Sequence, residues 1–176
     1  MENEDVMCDG EIELSDRAKS LWGKTNRVDD TEWLPLYVHM ADSAAMAARI
    51  WDTWVPYGTK SIISRDLGND DDLARKLMIF LAGVHDIGKA TPVFQAKPIS
   101  FGPDAESLVW KPEQAGLPMI AGLRDTSHPT HPIAGQVILE RYFSLVHKWG
   151  GRESRQYACV VGGHHGTPPD KSKLES

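Results

Sequence analysis

The sequence has little cysteine and no long apolar run, and both shortages narrow what the protein can be. Only Cys8 and Cys159 occur in 176 residues, far apart and without CxxC spacing. We therefore expect neither a disulfide framework nor a thiolate zinc site, and we expect a reducing, cytoplasmic environment. The longest apolar stretch, 77–84, has about eight residues, too few to cross a membrane. No basic segment followed by an apolar one opens the chain, so we expect neither a signal peptide nor a membrane partner.

The charge of the chain is unevenly distributed. Its net charge is −6, but seven of its 25 acidic residues lie within residues 1–16, where no Lys or Arg occurs. The remainder has 18 acidic and 19 basic residues and is nearly neutral. We therefore predict an acidic, disordered tail over 1–13 and one folded domain over 14–176. A nearly neutral domain neither requires nor excludes a nucleic-acid partner.

Helical periodicity dominates the folded part and predicts an all-α fold. Apolar residues recur at helical spacing in 14–23, 35–55, 61–67, 73–84, 131–146 and 153–161. The helix over 73–84 is apolar enough to be the central and most buried one. No alternating pattern indicates a strand, and 20–25 is predicted to be a loop in which Lys24 is solvated rather than bound to phosphate.

Two polar or irregular segments have structural interpretations. Asn69 is predicted to cap the helix over 73–84, and Asp70, Asp71 and Asp72 suit its positive end better than a metal site. The segment 97–127 is rich in proline and glycine and lacks periodicity, which predicts an irregular excursion. That excursion is either a lid over the functional site or a plain surface insertion.

The candidate chemistry lies at the end of the apolar helix, in His85-Asp86-Ile-Gly-Lys89. Imidazole and carboxylate together suit Mn, Fe, Co, Ni or Zn. A carboxylate has two oxygens, so Asp86 can bridge two metals that clamp a phosphate ester and activate water. Lys89 would then neutralise charge on the phosphoryl group. Taken alone, a His-Asp pair is more often a hydrogen-bonded helix end, with Gly88-Lys89 as a cap.

Other histidines strengthen the metal hypothesis. His164 and His165 are adjacent between glycines, where two imidazoles have little structural use, and His131 opens a helix. His39 alone is more often a surface or core histidine, but Asp42 lies three residues on and is predicted to orient its ring. Two further histidines are interpreted as bystanders: His128 and His147.

These residues resemble the HD-domain phosphohydrolase superfamily, whose signature is H…HD…H…D on a helical core. The chain resembles more closely the HD nuclease domain of the CRISPR-associated helicase-nuclease of type I systems. The matching segments are Ser-Leu-Trp-Gly-Lys-Thr (20–25), Leu-Tyr-Val-His-Met-Ala-Asp-Ser-Ala (36–44), Gly-Val-His-Asp-Ile-Gly-Lys-Ala-Thr-Pro-Val-Phe-Gln (83–95), His-Pro-Ile-Ala-Gly (131–135) and Gly-His-His-Gly (163–166).

The resemblance implies a helical HD bundle with one or two divalent transition metal ions, Mn, Fe, Co or Ni rather than Mg or Zn. The first metal would be held by His39, His85 and Asp86. The second would be held by Asp86, His131, His164 and His165. Lys89 would lie beside the scissile phosphate. The implied substrate is single-stranded DNA displaced by an RNA-guided surveillance complex, and a helicase feeds it to the nuclease.

The sequence departs from the family pattern in two ways. The family has a further aspartate ligand on a later helix, and Asp170 is too close to His165 to replace it. We therefore expect a C-terminally truncated chain, or a short HD subunit, that lacks the closing helices. The chain also contains no Walker-type loop, because Gly23-Lys24-Thr25 lacks the upstream glycine and strand. The helicase is expected in a missing region or in a separate chain.

Three functional hypotheses remain open on the sequence. The first is a metal-dependent endonuclease of single-stranded DNA. The second is an HD phosphohydrolase acting on nucleotides or cyclic nucleotides, which would share the ligands but need a base-recognising pocket. The third is a catalytically impaired HD interaction module, which the missing aspartate favours.

Overall fold

A computed structural model describes residues 13–26, 32–97, 106–119 and 129–169, which form a mostly helical domain with a small two-stranded sheet. The helices are Asp16–Ser20 (α1), Leu36–Thr53 (α2), Tyr57–Asp66 (α3), Asp71–Gly83 (α4), Pro92–Gln95 (α5), Glu106–Gln114 (α6), His131–Leu145 (α7) and Gly151–Gly162 (α8). The strands are Trp22–Thr25 (β1) and Trp33–Pro35 (β2), and a 3₁₀ turn spans Ile87–Ala90. Nearly all of the predicted tail, His128 and Asp170 lie outside the described residues. Within the described ranges, no helix is long and apolar enough to span a membrane.

The long helices α2, α4, α7 and α8 lie where the apolar periodicity predicted them, and the mostly helical fold class is confirmed. Pro132 occupies the first turn of α7, where its missing N–H costs nothing. The N-cap of α4 was predicted one residue too early. Asp70, not Asn69, accepts a hydrogen bond from the Leu73 backbone N–H at 2.9 Å, and Asn69 takes the left-handed conformation (φ 64°) before it. The acidic run is therefore a cap, as predicted.

The predicted loop over 20–25 was wrong, because Trp22–Thr25 forms a strand that pairs antiparallel with Trp33–Pro35. Strands of three and four residues are too short to give a visible alternating pattern. Tertiary hydrogen bonds hold β1 in place instead. The Gln95 side chain accepts from the Trp22 backbone N–H at 3.2 Å and donates to the Trp22 carbonyl at 2.9 Å.

Part of the predicted irregular excursion is also helical. Helix α6 has Pro112 in its interior, which hides the helical pattern in the sequence. Leu108 on α6 is 1% exposed and packs with Trp22 and Phe94 in a small core, so this part is neither a lid nor a surface insertion. The rest of the excursion, 98–105 and 120–128, lies outside the described residues.

Helix α7, not α4, is the most deeply buried long helix among the described residues. The main core joins Leu81 of α4 to Leu139 and Phe143 of α7 and Val161 of α8. Helix α7 buries six residues, whereas α4 buries two, and Leu73 on α4 is 46% exposed. The prediction failed because α4 places only one stripe of its apolar surface against its neighbours.

A close backbone contact joins the 3₁₀ turn to the first turn of α7. A methyl group at Gly88 would overlap the carbonyl oxygen of His131 and come within 2.5 Å of the Gly135 backbone nitrogen. Gly135 is less confined, since a methyl group there would lie 3.1 Å from a Val161 methyl and 3.4 Å from the Gly88 nitrogen. Only glycine fits at position 88, and the contact brings the turn that carries Asp86 against the start of α7.

We predict that Gly88→Ala lowers the free energy of unfolding by about 3 kcal/mol, because the added methyl must separate the two backbones. The measurement is urea denaturation followed by circular dichroism. Gly58→Ala is the matched control, since Gly58 lies in α3 with nothing within 4 Å of an added methyl. That control should change stability by no more than about 1 kcal/mol, and in the stabilising direction, because alanine suits a helix better than glycine. Equal stability of the two variants would contradict the close contact.

Candidate metal centre

The histidines singled out in the sequence converge on Asp86 from four parts of the fold. Helix α2 contributes His39, and the turn after α4 contributes His85 and Asp86. His131 is the first residue of α7, and the turn after α8 contributes His164 and His165. Their rings form a continuous cluster with neighbouring centroids 4.4 to 5.3 Å apart. Every ligand predicted from the sequence therefore lies at one place.

The two oxygens of Asp86 face different histidines. Oδ2 lies 2.7 Å from Nε2 of His39 and 3.2 Å from Nε2 of His85. Oδ1 lies 3.2 Å from Nε2 of His131 and 3.5 Å from Nε2 of His164. Asp86 itself is 4% exposed. The carboxylate therefore lies between two groups of rings and can contact both at once.

Two of the rings are fixed in the same way by the end of a helix. Nδ1 of His85 lies 2.8 Å from the Ala82 carbonyl oxygen, and Nδ1 of His164 lies 2.6 Å from the Val161 carbonyl oxygen. A carbonyl oxygen only accepts, so each Nδ1 carries the proton and donates it. In the neutral ring Nε2 is then an acceptor with its lone pair directed at Asp86. This is the arrangement that orients histidine ligands in metal sites.

The donor set fits a divalent metal ion. Nε2 of His164 is buried without a hydrogen-bond partner among the described residues, and it faces a carboxylate oxygen that also only accepts. A cation between two such acceptors would satisfy both. The ligand atoms of His39, His85 and Asp86 lie within 4.8 Å of one another, as do those of His131, His164 and His165. We call these sets the first and second clusters.

The protonation of the site also suits metal binding, because ligands must be deprotonated to bind. Burial lowers the pKa of His39 and that of His164, which keeps these rings neutral at neutral pH. Burial alone would raise the pKa of Asp86, but hydrogen bonds from His131, His85 and Lys89 outweigh it and hold the pKa well below its usual range. The hydrogen bond to Asp86 raises the pKa of His85, so this ring would have to release a proton from Nε2 when a metal ion binds.

Lys89 is buried against Asp86 rather than extended into solvent. Its ammonium lies 2.9 Å from Oδ2 of Asp86 and donates to the Gly23 carbonyl oxygen at 3.0 Å. The Gln95 amide donates to the Lys89 carbonyl oxygen at 2.8 Å and fixes the backbone there. Nothing in the local sequence around Gln95 distinguishes a buried glutamine from a solvated one, so no role for this side chain is predicted from the sequence.

The orienting role predicted for Asp42 was wrong. The carboxylate bonded to the His39 ring is that of Asp86, 47 residues away, while Asp42 is exposed. A carboxylate three residues along the same helix orients a histidine ring only when no carboxylate from another part of the fold lies nearer to that ring. His147 lies among the rings of Tyr142 and Trp149 at the other end of α7.

The chain is similar to proteins of CRISPR systems. Residues 22–176 match the family described as "Cas3, HD domain". The chain is 35% identical over 154 residues to the CRISPR-associated nuclease/helicase Cas3 of Streptococcus thermophilus, covering 84% of this chain and 16% of that protein. It is 29% identical over 160 residues to the CRISPR-associated endonuclease/helicase Cas3 of Thermus thermophilus, covering 89% of this chain and 15% of that protein.

A solved structure resembles the fold as well. The crystal structure of a CRISPR-associated protein superposes with a TM-score of 0.77 at 33% sequence identity, covering 89% of this chain and 16% of the other. The chain therefore spans about one sixth of the length of these relatives.

We predict that His164→Ala weakens binding of Mn²⁺ or Co²⁺ by at least tenfold, because it removes the buried acceptor of the second cluster. Isothermal titration calorimetry measures the affinity, and the visible spectrum of bound Co²⁺ reports the ligand set. His147→Ala is the matched control and should bind metal like the unmodified chain. Equal affinities for the two variants would show that His164 is not a ligand.

Proposed function

Because this chain belongs to the Cas3 HD-domain family, we propose that it is a metal-dependent endonuclease domain that hydrolyses phosphodiester bonds of single-stranded DNA in type I CRISPR interference. The family match confirms the sequence-based assignment to the HD hydrolases of CRISPR systems. We propose residues 14–176 as the nuclease domain, acting in the cytoplasm on the strand displaced by an RNA-guided surveillance complex.

The observation that carries the proposal is the position of Asp86 between the two clusters. Its Oδ2 faces His39 and His85, and its Oδ1 faces His131 and His164. A carboxylate with imidazoles on both sides could hold two metal ions, which would supply the clamp on the phosphate and the activated water of two-metal phosphodiester hydrolysis. Among the described residues, Nε2 of His164 is the buried ring nitrogen without a partner, so a cation is needed most at the second cluster.

We propose that His39, His85 and Asp86 hold one metal and that Asp86, His131, His164 and His165 hold the other. The mixed imidazole and carboxylate donors favour Mn, Fe, Co or Ni over Mg, which prefers oxygen ligands. When bound, these ions supply an activated water and neutralise charge on the phosphate.

Backbone carbonyls and Lys89 orient the proposed metal ligands and keep Asp86 ionised. The backbone carbonyls of Ala82 and Val161 hold two rings with Nε2 directed inward. Lys89 helps to keep Asp86 ionised, since its ammonium contacts Oδ2. A phosphoryl oxygen that approaches Asp86 comes within reach of the same ammonium, where charge develops in the transition state.

The relatives are named nuclease/helicases, and the matched part is a small fraction of their length. We propose that a helicase works with this nuclease, either elsewhere in the same protein or on a separate chain. Unwinding by that helicase would deliver single-stranded DNA to the metal centre.

We predict that Asp86→Ala lowers the rate of cleavage of circular single-stranded DNA at least about 10³-fold, since it removes the ligand shared by both clusters. The assay follows the circular DNA on gels in Mn²⁺, Co²⁺ or Ni²⁺, with EDTA expected to abolish cleavage. The exposed Asp42 on α2 gives the matched control, and Asp42→Ala should cleave at the wild-type rate.

A nucleotide and cyclic-nucleotide panel run in parallel separates the alternatives. Cleavage that survives Asp86→Ala or EDTA would disprove the metal-dependent nuclease. Activity confined to the nucleotide panel would indicate a nucleotide phosphohydrolase. Inactivity together with weak metal binding would indicate an interaction module.

A further inference from the structure

The turn 162–166 carries the two adjacent histidines of the second cluster, and we call it the double-histidine turn. It starts at Gly162, the last residue of α8, where the chain is closely packed. A methyl group at Gly162 would overlap Oε1 of Gln136 on α7 and would lie 2.9 Å from Cδ of Pro169. The start of the turn therefore has no room for a side chain, and Gln136 occupies the space that one would need.

Gln136 is buried, and a neighbouring carboxylate fixes its amide. The side chain is 1% exposed, and its Nε2 donates to Oε1 of Glu140, one helical turn later, at 2.9 Å. Its Oε1 is buried without a hydrogen-bond partner among the described residues. The bond to Glu140 therefore holds Oε1 against Gly162, although Oε1 gains no hydrogen bond there. Such an unsatisfied acceptor is uncommon in folded proteins and calls for an explanation.

The contact with Gly162 lies next to the group that fixes the His164 ring. The carbonyl oxygen of Val161, the residue before Gly162, lies 2.6 Å from Nδ1 of His164. The residue after Gly162, Gly163, donates its N–H to the Cys159 carbonyl oxygen at 2.9 Å. A displacement of Gly162 would move both the carbonyl and the ring, and with them the direction of Nε2.

The first cluster is fixed by other elements. Its His39 lies on α2, and the ring of His85 bonds through Nδ1 to the Ala82 carbonyl oxygen at the end of α4. Gln136 instead lies between α7 and α8, the helices whose ends carry the ligands of the second cluster. We therefore expect a change at position 136 to affect the second cluster and to leave the first unchanged.

We propose that Gln136 is a positioning residue for the second cluster, because its side chain fills the space left by Gly162 and thereby fixes the double-histidine turn. The long side chain at position 136 and the missing side chain at position 162 are complementary in shape, as close-packed interiors require. The proposal rests on the proposed function, since it takes the second cluster to bind a metal ion. Gln136 acts through the turn and is itself neither a metal ligand nor a group that reacts.

The first test uses the chain without metal. Nuclear magnetic resonance of the ¹⁵N-labelled chain in EDTA detects ring N–H protons that hydrogen bonds protect from exchange with water. His85 and His164 each donate such a bond to a carbonyl oxygen. In Gln136→Ala we expect the Nδ1 proton of His164 to lose protection, because the turn shifts into the vacated space. The signal of His85 should remain unchanged, which also shows that the variant is folded.

The second test measures metal binding. Isothermal titration calorimetry with Co²⁺ gives the affinities, and the visible spectrum of bound Co²⁺ reports which ligand set is occupied. We expect Gln136→Ala to weaken the binding of one ion about tenfold, the lower end of the effect of removing a group that orients a ligand. That ion should be the one whose binding His164→Ala weakens. The affinity for the other ion should not change.

Ser154→Ala is the matched control. Ser154 lies on α8 beside α7, is also 1% exposed and has a hydroxyl without a hydrogen-bond partner among the described residues. It lies about two helical turns before Gly162, so its loss should not disturb the double-histidine turn. We expect Ser154→Ala to keep both the His164 signal and the Co²⁺ affinities of the unmodified chain.

A double variant tests the contact itself. Gly162→Ala should weaken binding of the same ion at least about tenfold, because its methyl group overlaps Oε1 of Gln136. When Gln136→Ala is added, the shortened side chain frees the space that this methyl group needs. The double variant should therefore bind the ion more tightly than Gly162→Ala alone, whereas independent effects would add and make it the weakest. Gly151→Ala on the same helix has nothing within 4 Å of the added methyl group and should bind Co²⁺ like the unmodified chain.

The outcomes separate the positioning role from the proposed function. A protected His164 signal or unchanged Co²⁺ affinities in Gln136→Ala would overturn the proposal. Equal weakening of both ions, or a double variant that binds most weakly, would overturn it as well. If the unmodified chain binds no ion at the second cluster, the proposed two-metal function fails. The His164 and His85 signals of the metal-free chain then still decide whether Gln136 positions the turn.

Discussion

A buried carboxylate must be compensated, and Asp86 imposes that requirement on the elements around it. Its side chain is almost completely buried, and an uncompensated charge there would cost several kcal/mol. The compensation comes from Lys89, from His39 on α2 and from His131 at the start of α7. These elements are far apart in sequence, so the charge of one side chain constrains how all of them pack.

Backbone geometry makes this compensation possible. Gly88 lacks the side chain that would separate the 3₁₀ turn from α7, so that His131 reaches Asp86. The ends of α4 and α8 then fix their rings in the same way, through a carbonyl in the last turn that bonds to the ring three residues later. The site therefore depends on one close-packed glycine and two helix ends as much as on the ligands themselves.

Much of the site could be predicted from the sequence because its chemistry is local. Two histidines between glycines have few structural uses, and together with the His-Asp pair they match the motif of a known family, while the long helices show clear periodicity. Apart from the N-cap of α4, which was predicted one residue too early, the failures involve tertiary contacts. The His39 ring bonds to Asp86 rather than to the predicted partner Asp42. Strand β1 is held by hydrogen bonds to Gln95, and the proline inside α6 masks the helical pattern of that segment. Helix α7 is buried because several elements pack against it, and local sequence periodicity does not indicate how many neighbours a helix has.

The distribution of the histidines along the chain has a consequence for the order in which the candidate metal centre can form. The first cluster needs nothing beyond Asp86, but the second is complete only when His165 is present, almost at the end of these 176 residues. A nascent chain on the ribosome therefore cannot assemble the centre until α8 has emerged and packed on α7.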